Sequence, residues 1–261
     1  MRTILLSLLV LATSHAAQQG EKQIVVISHR GEHLHHPENT MPAFRAAVEA
    51  GADFIEVDVR TTADGRLVLQ HDATVDRCTN GHGQVSAMTF EEIRKVDAGA
   101  KVNAEFAGTP VPTFEEVLEF AHGKIGVYID SKQISAKDLV TAVAQYHMED
   151  NVVVYGGLNL HREVQKLNPR IKIMPESENV EWATKFLDEL HPQVVAFDAR
   201  DFKDEVIAVV RAANAGLYVD RLGLADNVPM WEDAIRRGAT GIQTDHPAEL
   251  VRFLRERGWH K

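Results

Sequence analysis

Phe54-Ile55-Glu56-Val57-Asp58-Val59 reads as a buried β-strand with an acidic face. Aromatic and β-branched residues dominate it, and no glycine or proline interrupts it. Side chains alternate along a strand, so Ile55, Val57 and Val59 share one face while Glu56 and Asp58 share the other. Comparable apolar runs recur at 24–28, 125–130, 152–155, 171–174, 194–198, 216–220 and 241–245. Helical patterns separate most of them, at 41–50, 136–146, 158–167, 178–189, 203–213 and 229–237. Alternating strand and helix implies βαβ units and a parallel sheet. Eight such units in 261 residues predict an α/β fold of the (β/α)8 TIM-barrel type. A doubly wound open sheet is the rival, but no glycine-rich nucleotide loop follows the first strand.

In a barrel the C-terminal strand ends surround the active site. Ser28-His29-Arg30 follows the first run, Asp130 and Lys132 close the third, and Asp198, Asp220 and Thr244-Asp245 close later ones. Taken singly, Ser28, Asp198 and Asp245 are expected to be turn or cap residues. The first half of the chain is richer. Glu56 and Asp58 on one face repel each other, and a divalent cation is the natural counter-charge for such oxygen ligands. The other solution is a pair of carboxylates satisfied by lysine and arginine.

Thr62-Ala63-Asp64-Gly65-Arg66 carries a hairpin signal. If Asp64-Gly65 is the two-residue turn, Ala63 pairs with Arg66 and Asp58 faces His71, about 5 Å away on the same side of the sheet. His29-Arg30-Gly31 brings a second histidine to a strand end. One imidazole can take a proton from the nucleophile while the other protonates the leaving oxygen. Arg30 offers a fork for phosphate oxygens. The loop histidines His33, His35 and His36 are expected to be solvated rather than a metal site. Glu38 and Asn39 precede a helix whose expected N-cap is Thr40, with Pro42 just inside, and they are placed to face the site.

Hydrophobic residues make up 44% of the chain, enough for a sizeable core, and the formal charge of −10 argues against a nucleic-acid partner. Arg2, the apolar run 4–12 and the small residues near Ala16 predict a signal peptide over residues 1–17, hence export to the periplasm or beyond. That run is about half the ~20 residues a membrane helix needs, so no stable membrane insertion is expected after its removal. The mature barrel would then span 18–261. Cys78 is the single cysteine, which excludes an internal disulfide. Residues 73–112 break the strand–helix alternation with several glycines and prolines, and they predict an insertion after the second strand that covers the site.

His29-Arg30-Gly31, Pro37-Glu38-Asn39-Thr40, Glu56-Val57-Asp58-Val59 and His71-Asp72 together resemble the signature of the glycerophosphodiester phosphodiesterase family. The resemblance continues through 76–81, 112–118 and 241–247. It implies a barrel hydrolase that converts a small glycerophosphodiester into glycerol 3-phosphate and an alcohol. It implies His29 and His71 as the acid/base pair and one divalent cation, Ca2+ or Mg2+, on Glu56, Asp58 and a third carboxylate. That third position holds Asp130, in Tyr128-Ile129-Asp130-Ser131-Lys132, where the family usually has glutamate. Arg30, Glu38, Asn39 and Lys132 are then expected to bind substrate. A late strand motif that usually contains tryptophan is replaced by Leu217-Tyr218-Val219-Asp220. Two rivals stand beside this reading. One is a phospholipase D-like enzyme acting on lysophospholipid or sphingomyelin. The other is a non-catalytic periplasmic binding protein on the same barrel.

Overall fold

The computed structural model describes residues 23–261, so the expected signal peptide lies outside the described residues. Eight parallel strands form the sheet: β1 (Val25–Ser28), β2 (Phe54–Thr61), β4 (Gly126–Gln133), β5 (Val152–Tyr155), β6 (Lys172–Met174), β7 (Val194–Phe197), β8 (Gly216–Arg221) and β9 (Gly241–Thr244). The short β3 (Leu67–Leu69) pairs antiparallel with β2 alone. The hydrogen-bonded order runs β6-β5-β4-β2-β1-β9-β8-β7. Its two ends meet at a bridge between Glu176 and Ala196, where Ser177 N–H donates to the Ala196 carbonyl at 3.0 Å. The sheet is therefore a nearly closed barrel, and the open-sheet alternative is overturned.

Helices clothe the barrel: α1 (Met41–Ala50), the single-turn α2 (Phe90–Ile93), α3 (Phe114–Ala121), α4 (Ala136–Gln145), α5 (Leu158–Leu167), α6 (Val180–Leu190), α7 (Asp204–Ala212), α8 (Val228–Arg237) and α9 (Pro247–Arg255). The six helical segments read from periodicity form; α2, α3 and α9 are additional to them. Thr113 starts α3 with a reciprocal capping box to Glu116. Thr40 does not cap α1 with its side chain; its hydroxyl donates to the Pro37 carbonyl at 2.6 Å.

The core follows from the strand alternation. Ile55, Val57 and Val59 face outward and pack in one cluster with Phe114, Val117 and Leu118 of α3. A second cluster joins Val26, Val195 and Ile242 to Trp231 of α8 and Phe253 of α9. Burying each such large apolar side chain contributes roughly 1.5–3 kcal/mol. Inside the barrel, Ile27, Tyr128, Val153 and Met174 form an apolar layer joined by Phe54 and Tyr218. Glycine makes room for two of these rings. A Cβ on Gly126 would lie 2.4 Å from the Phe54 ring, and one on Gly241 2.5 Å from the Tyr218 ring. With its lower interior filled, the barrel can hold polar groups only at its upper, C-terminal end.

The β2–β3 hairpin departs from the expected register by one residue. Val59 pairs with Leu69 and Thr61 with Leu67, and Thr62 N–H donates to the Arg66 carbonyl at 2.9 Å. The loop is thus the three residues Ala63-Asp64-Gly65, with Gly65 at φ 82°. Asp64 accepts from the Thr62 hydroxyl at 2.6 Å and from Phe90 N–H at 2.9 Å, which fixes the longer loop. Asp58 consequently sits opposite Gln70, whose N–H reaches the Asp58 carbonyl at 2.9 Å, and not opposite His71.

Residues 73–112 lie between β3 and α3 and are folded. Val75, Val85, Ile93, Ala98 and Val111 bury a small core of their own against Val68 of β3.

Candidate active site

His29 follows β1, Glu56 and Asp58 lie on the inner face of β2, and His71 lies just beyond β3. Asp130 and Lys132 lie on β4, which is in register with β2 so that Asp58 pairs directly with Asp130. All of these side chains, together with Arg30, line one cavity at the C-terminal end of the barrel. His71 therefore reaches the acidic group although the hairpin register differs from expectation. The chain turns inward after Gln70, where the Arg60 guanidinium holds the His71 carbonyl at 2.7 Å.

Glu56, Asp58 and Asp130 offer oxygens that all lie within 4.8 Å of one another. Asp58 is 1% exposed, and its Oδ1 is buried without a hydrogen bond. Burial and the neighbouring Asp58 and Asp130 charges push the Glu56 carboxyl well above the usual range. Asp130 is also raised, first by burial and then by Asp58, against the opposing pull of Lys132. Lys132 Nζ lies 2.6 Å from Asp130 and 3.4 Å from Asp58. Burial works to lower the Lys132 pKa, and the Asp130 carboxylate outweighs it, so the ammonium stays charged. Three converging carboxylates with an orphan buried oxygen suit a hard divalent cation.

Each histidine has its own carboxylate. His29 Nδ1 lies 2.8 Å from Asp245, and His71 Nδ1 lies 2.7 Å from Asp72. Each carboxylate accepts an Nδ1–H, which leaves the Nε2 of each ring for chemistry. Burial lowers the His29 pKa, with Arg30 adding to it, and Asp245 pulls the other way. His29 is thus neutral near pH 7. Burial alone would raise Asp245, but the His29 ring and the Gly223 N–H at 3.0 Å bring it down to about 2. The expected turn role of Asp245 is therefore incomplete, since its side chain orients a site histidine. His33 also approaches Asp245, at 3.6 Å, and its Nδ1 meets the His29 carbonyl at 2.8 Å. His33 is thus half-buried and engaged, whereas His35 is exposed.

Asn39 and Glu38 stand behind the cavity wall. Asn39 is buried at φ 56°, donates its amide to Asp58 Oδ2 at 2.6 Å and accepts the Asp58 N–H at 3.1 Å. Glu38 binds Arg30 at 3.1 Å and Arg77 of the insertion at 2.7 Å. Burial would raise the Glu38 carboxyl, but the two arginines hold it at about 2. Both residues are engaged with protein partners and neither is part of the cavity lining. Arg77 also clamps Asp72 at 2.7 Å, so the insertion secures the His71 side of the site. Cys78 stays a thiol, because burial and Glu38 push it up to about 12. Sequence reasoning missed Asp245, Asp72 and Arg77 as site supports. It also gave no role to Glu176, Gln243 and Arg200, which line the far side of the cavity.

The profile of the glycerophosphoryl diester phosphodiesterase family matches residues 29–249. A glycerophosphodiester phosphodiesterase of Caldanaerobacter subterraneus subsp. tengcongensis is 34% identical over 247 residues, covering 90% of this chain and 99% of that protein. One from Bacillus subtilis is 38% identical and covers 93% of this chain and 92% of its own. Among solved structures, a glycerophosphodiester phosphodiesterase from Agrobacterium tumefaciens superposes with a TM-score of 0.79 at 28% identity, over 87% of this chain and 98% of that one. An Oleispira antarctica phosphodiesterase, solved with the product sn-glycerol-3-phosphate, superposes with a TM-score of 0.82 at 20% identity, over 89% and 97% of the two chains. The last of these supports the fold alone.

Proposed function

The chain belongs to the glycerophosphoryl diester phosphodiesterase family, and from that premise we propose that it hydrolyses glycerophosphodiesters to glycerol 3-phosphate and an alcohol with its two histidines. One observation carries this reading: His29 and His71, each held by a carboxylate, face one cavity that also contains Glu56, Asp58 and Asp130. The 34%-identical relative from Caldanaerobacter subterraneus subsp. tengcongensis, a glycerophosphodiester phosphodiesterase, agrees with the substrate class.

In this proposal Arg30 and Lys132 hold the phosphate oxygens. His29, neutral and oriented by Asp245, takes the proton of the attacking hydroxyl at Nε2. His71, its Nδ1 held by Asp72, gives a proton to the departing alcohol oxygen. The nucleophile is the glycerol hydroxyl next to the phosphoester. Its oxygen bonds to phosphorus as the P–O bond to the alcohol breaks, and water then opens the cyclic phosphate with the two histidines exchanging roles. Asn39 serves as a positioning residue for Asp58, and Glu38 for Arg30. Glu56, Asp58 and Asp130 would hold a divalent cation, Ca2+ or Mg2+. When bound, that cation supplies neutralising charge for the phosphoryl oxygens and for the carboxylates themselves.

The test is turnover of glycerophosphoglycerol by metal-stripped protein, with products followed by phosphorus NMR. Stripped protein should be inactive, and Ca2+ or Mg2+ should restore release of glycerol 3-phosphate. Full activity in excess chelator would remove the metal from the proposal. Absence of any cyclic phosphate, with a deoxy substrate turned over normally, would replace the glycerol hydroxyl by water as nucleophile.

A further inference from the structure

The half of the cavity opposite His71 takes no part in the chemistry above. Glu176, Asp198 and Asp220, from the ends of β6, β7 and β8, line it beside the rings of Tyr128, Tyr155 and Phe197. Two donors of this wall are already engaged. The Tyr155 hydroxyl donates to Glu176 at 2.6 Å, and the Gln243 amide donates to Asp220 at 3.0 Å. Gln243 is 6% exposed, and its Oε1 has no hydrogen-bond partner. A buried acceptor left open beside three carboxylates is costly unless a ligand donates to it. Among the lining residues, the permanent cation on this side is Arg200. Its side chain is 77% exposed at the rim, where it pairs with Asp201 at 3.2 Å and reaches Asp198 at 3.6 Å, and no ion pair to Glu176 or Asp220 is found among the described residues. Acidic groups crowd this wall, and burial with Glu176 and Asp198 nearby pushes the Asp220 carboxyl up to about 8, a charge cost that a bound cation would relieve.

We propose that this half of the cavity binds the ammonium group of the alcohol, so that the enzyme favours glycerophosphodiesters of amino alcohols over those of neutral polyols. The proposal rests on the hydrolytic reading of the same site. An ammonium is donor-only, with three N–H groups for an acceptor-rich wall, and it brings the missing positive charge. The aromatic faces of the lining add a favourable environment for a cation. The glycerol moiety is neutral and would leave Glu176 and Asp220 without a cationic partner. The anionic phosphate belongs with Arg30 and Lys132.

The test compares kcat/KM for glycerophosphoethanolamine, glycerophosphocholine and glycerophosphoglycerol in wild type, Asp220→Asn and Glu176→Gln. A charged hydrogen bond is worth about 1.5–3 kcal/mol, so the ethanolamine diester should exceed the glycerol diester roughly tenfold or more. The choline diester, charged but without N–H donors, should fall between them. In both variants the ethanolamine-to-glycerol ratio should drop toward one. Equal kcat/KM values in wild type would overturn the proposal. So would variants that lower all three substrates equally, because this half would then hold the glycerol common to them. Calorimetric Kd values for the three diesters should follow the same order and are read without turnover. That order without hydrolysis would count against the hydrolytic reading alone, and no order would count against the ammonium subsite.

Discussion

His29 depends on a residue 216 positions away in the chain, because Asp245 at the end of β9 accepts its Nδ1–H at 2.8 Å. The carboxylate fixes the tautomer and favours the protonated ring that forms once the proton has moved. Asp245→Asn removes that support while keeping the size of the side chain. We expect kcat to fall at least about tenfold, from loss of one charged hydrogen bond. Asp245 raises the His29 pKa against burial. Its loss lowers that pKa further, so the acid limb of kcat/KM should move to lower pH. A pH–rate profile checks both effects. An unshifted acid limb would show that Asp245 acts on the fold and not on His29. This residue was hard to see in the sequence because an aspartate after a strand is most simply a turn residue. Glu56 and Asp58 were legible because two carboxylates on an otherwise apolar strand demand a counter-charge, whether a cation or basic side chains.

Among the elements, every barrel strand was legible as a short, largely apolar run of the kind a parallel sheet buries. The hairpin was half legible. Asp64-Gly65 marked the turn, but its length depends on Asp64 accepting the Phe90 N–H, a contact set by an element 26 residues later. Such a contact has no local signature. The insertion was visible as a break in alternation, and its tie to the site was not. Glu38 is that tie, linking Arg30 of the β1 loop to Arg77 of the insertion. Glu38→Gln should destabilise the protein by about 1–3 kcal/mol near neutral pH. The Glu38 pKa is depressed to about 2 from an ordinary 4.5. Its contribution is therefore complete above about pH 4.5 and is lost as pH falls through about 2. Urea midpoints of wild type and variant should differ at pH 7 and converge as the pH approaches 2. A constant difference across that range would mean that the charge of Glu38 does not hold the insertion.

The molecule as a whole separates stability from chemistry along the barrel axis. Apolar side chains fill the lower interior and the shell between strands and helices. The upper interior collects carboxylates that would be costly anywhere else. Among the described residues no helix is long and apolar enough to cross a membrane. Site residues come from β1, β2, β4 and β9 and from the loop after β3, so only the closed barrel brings them together. That closure explains why the family signature is spread over most of the chain. It also explains why far-side residues such as Gln243 gave no separate signal, since their partners lie on neighbouring strands. Hydrolysis of glycerophosphodiesters by two histidines in one cavity is the proposal that joins these residues. Its most direct test is the steady-state release of glycerol 3-phosphate by wild type, His29→Ala and His71→Ala, each shown by circular dichroism to be folded. Wild type with Ca2+ or Mg2+ should turn over, and each variant should lose roughly 100-fold or more. Near wild-type turnover by either folded variant would contradict it.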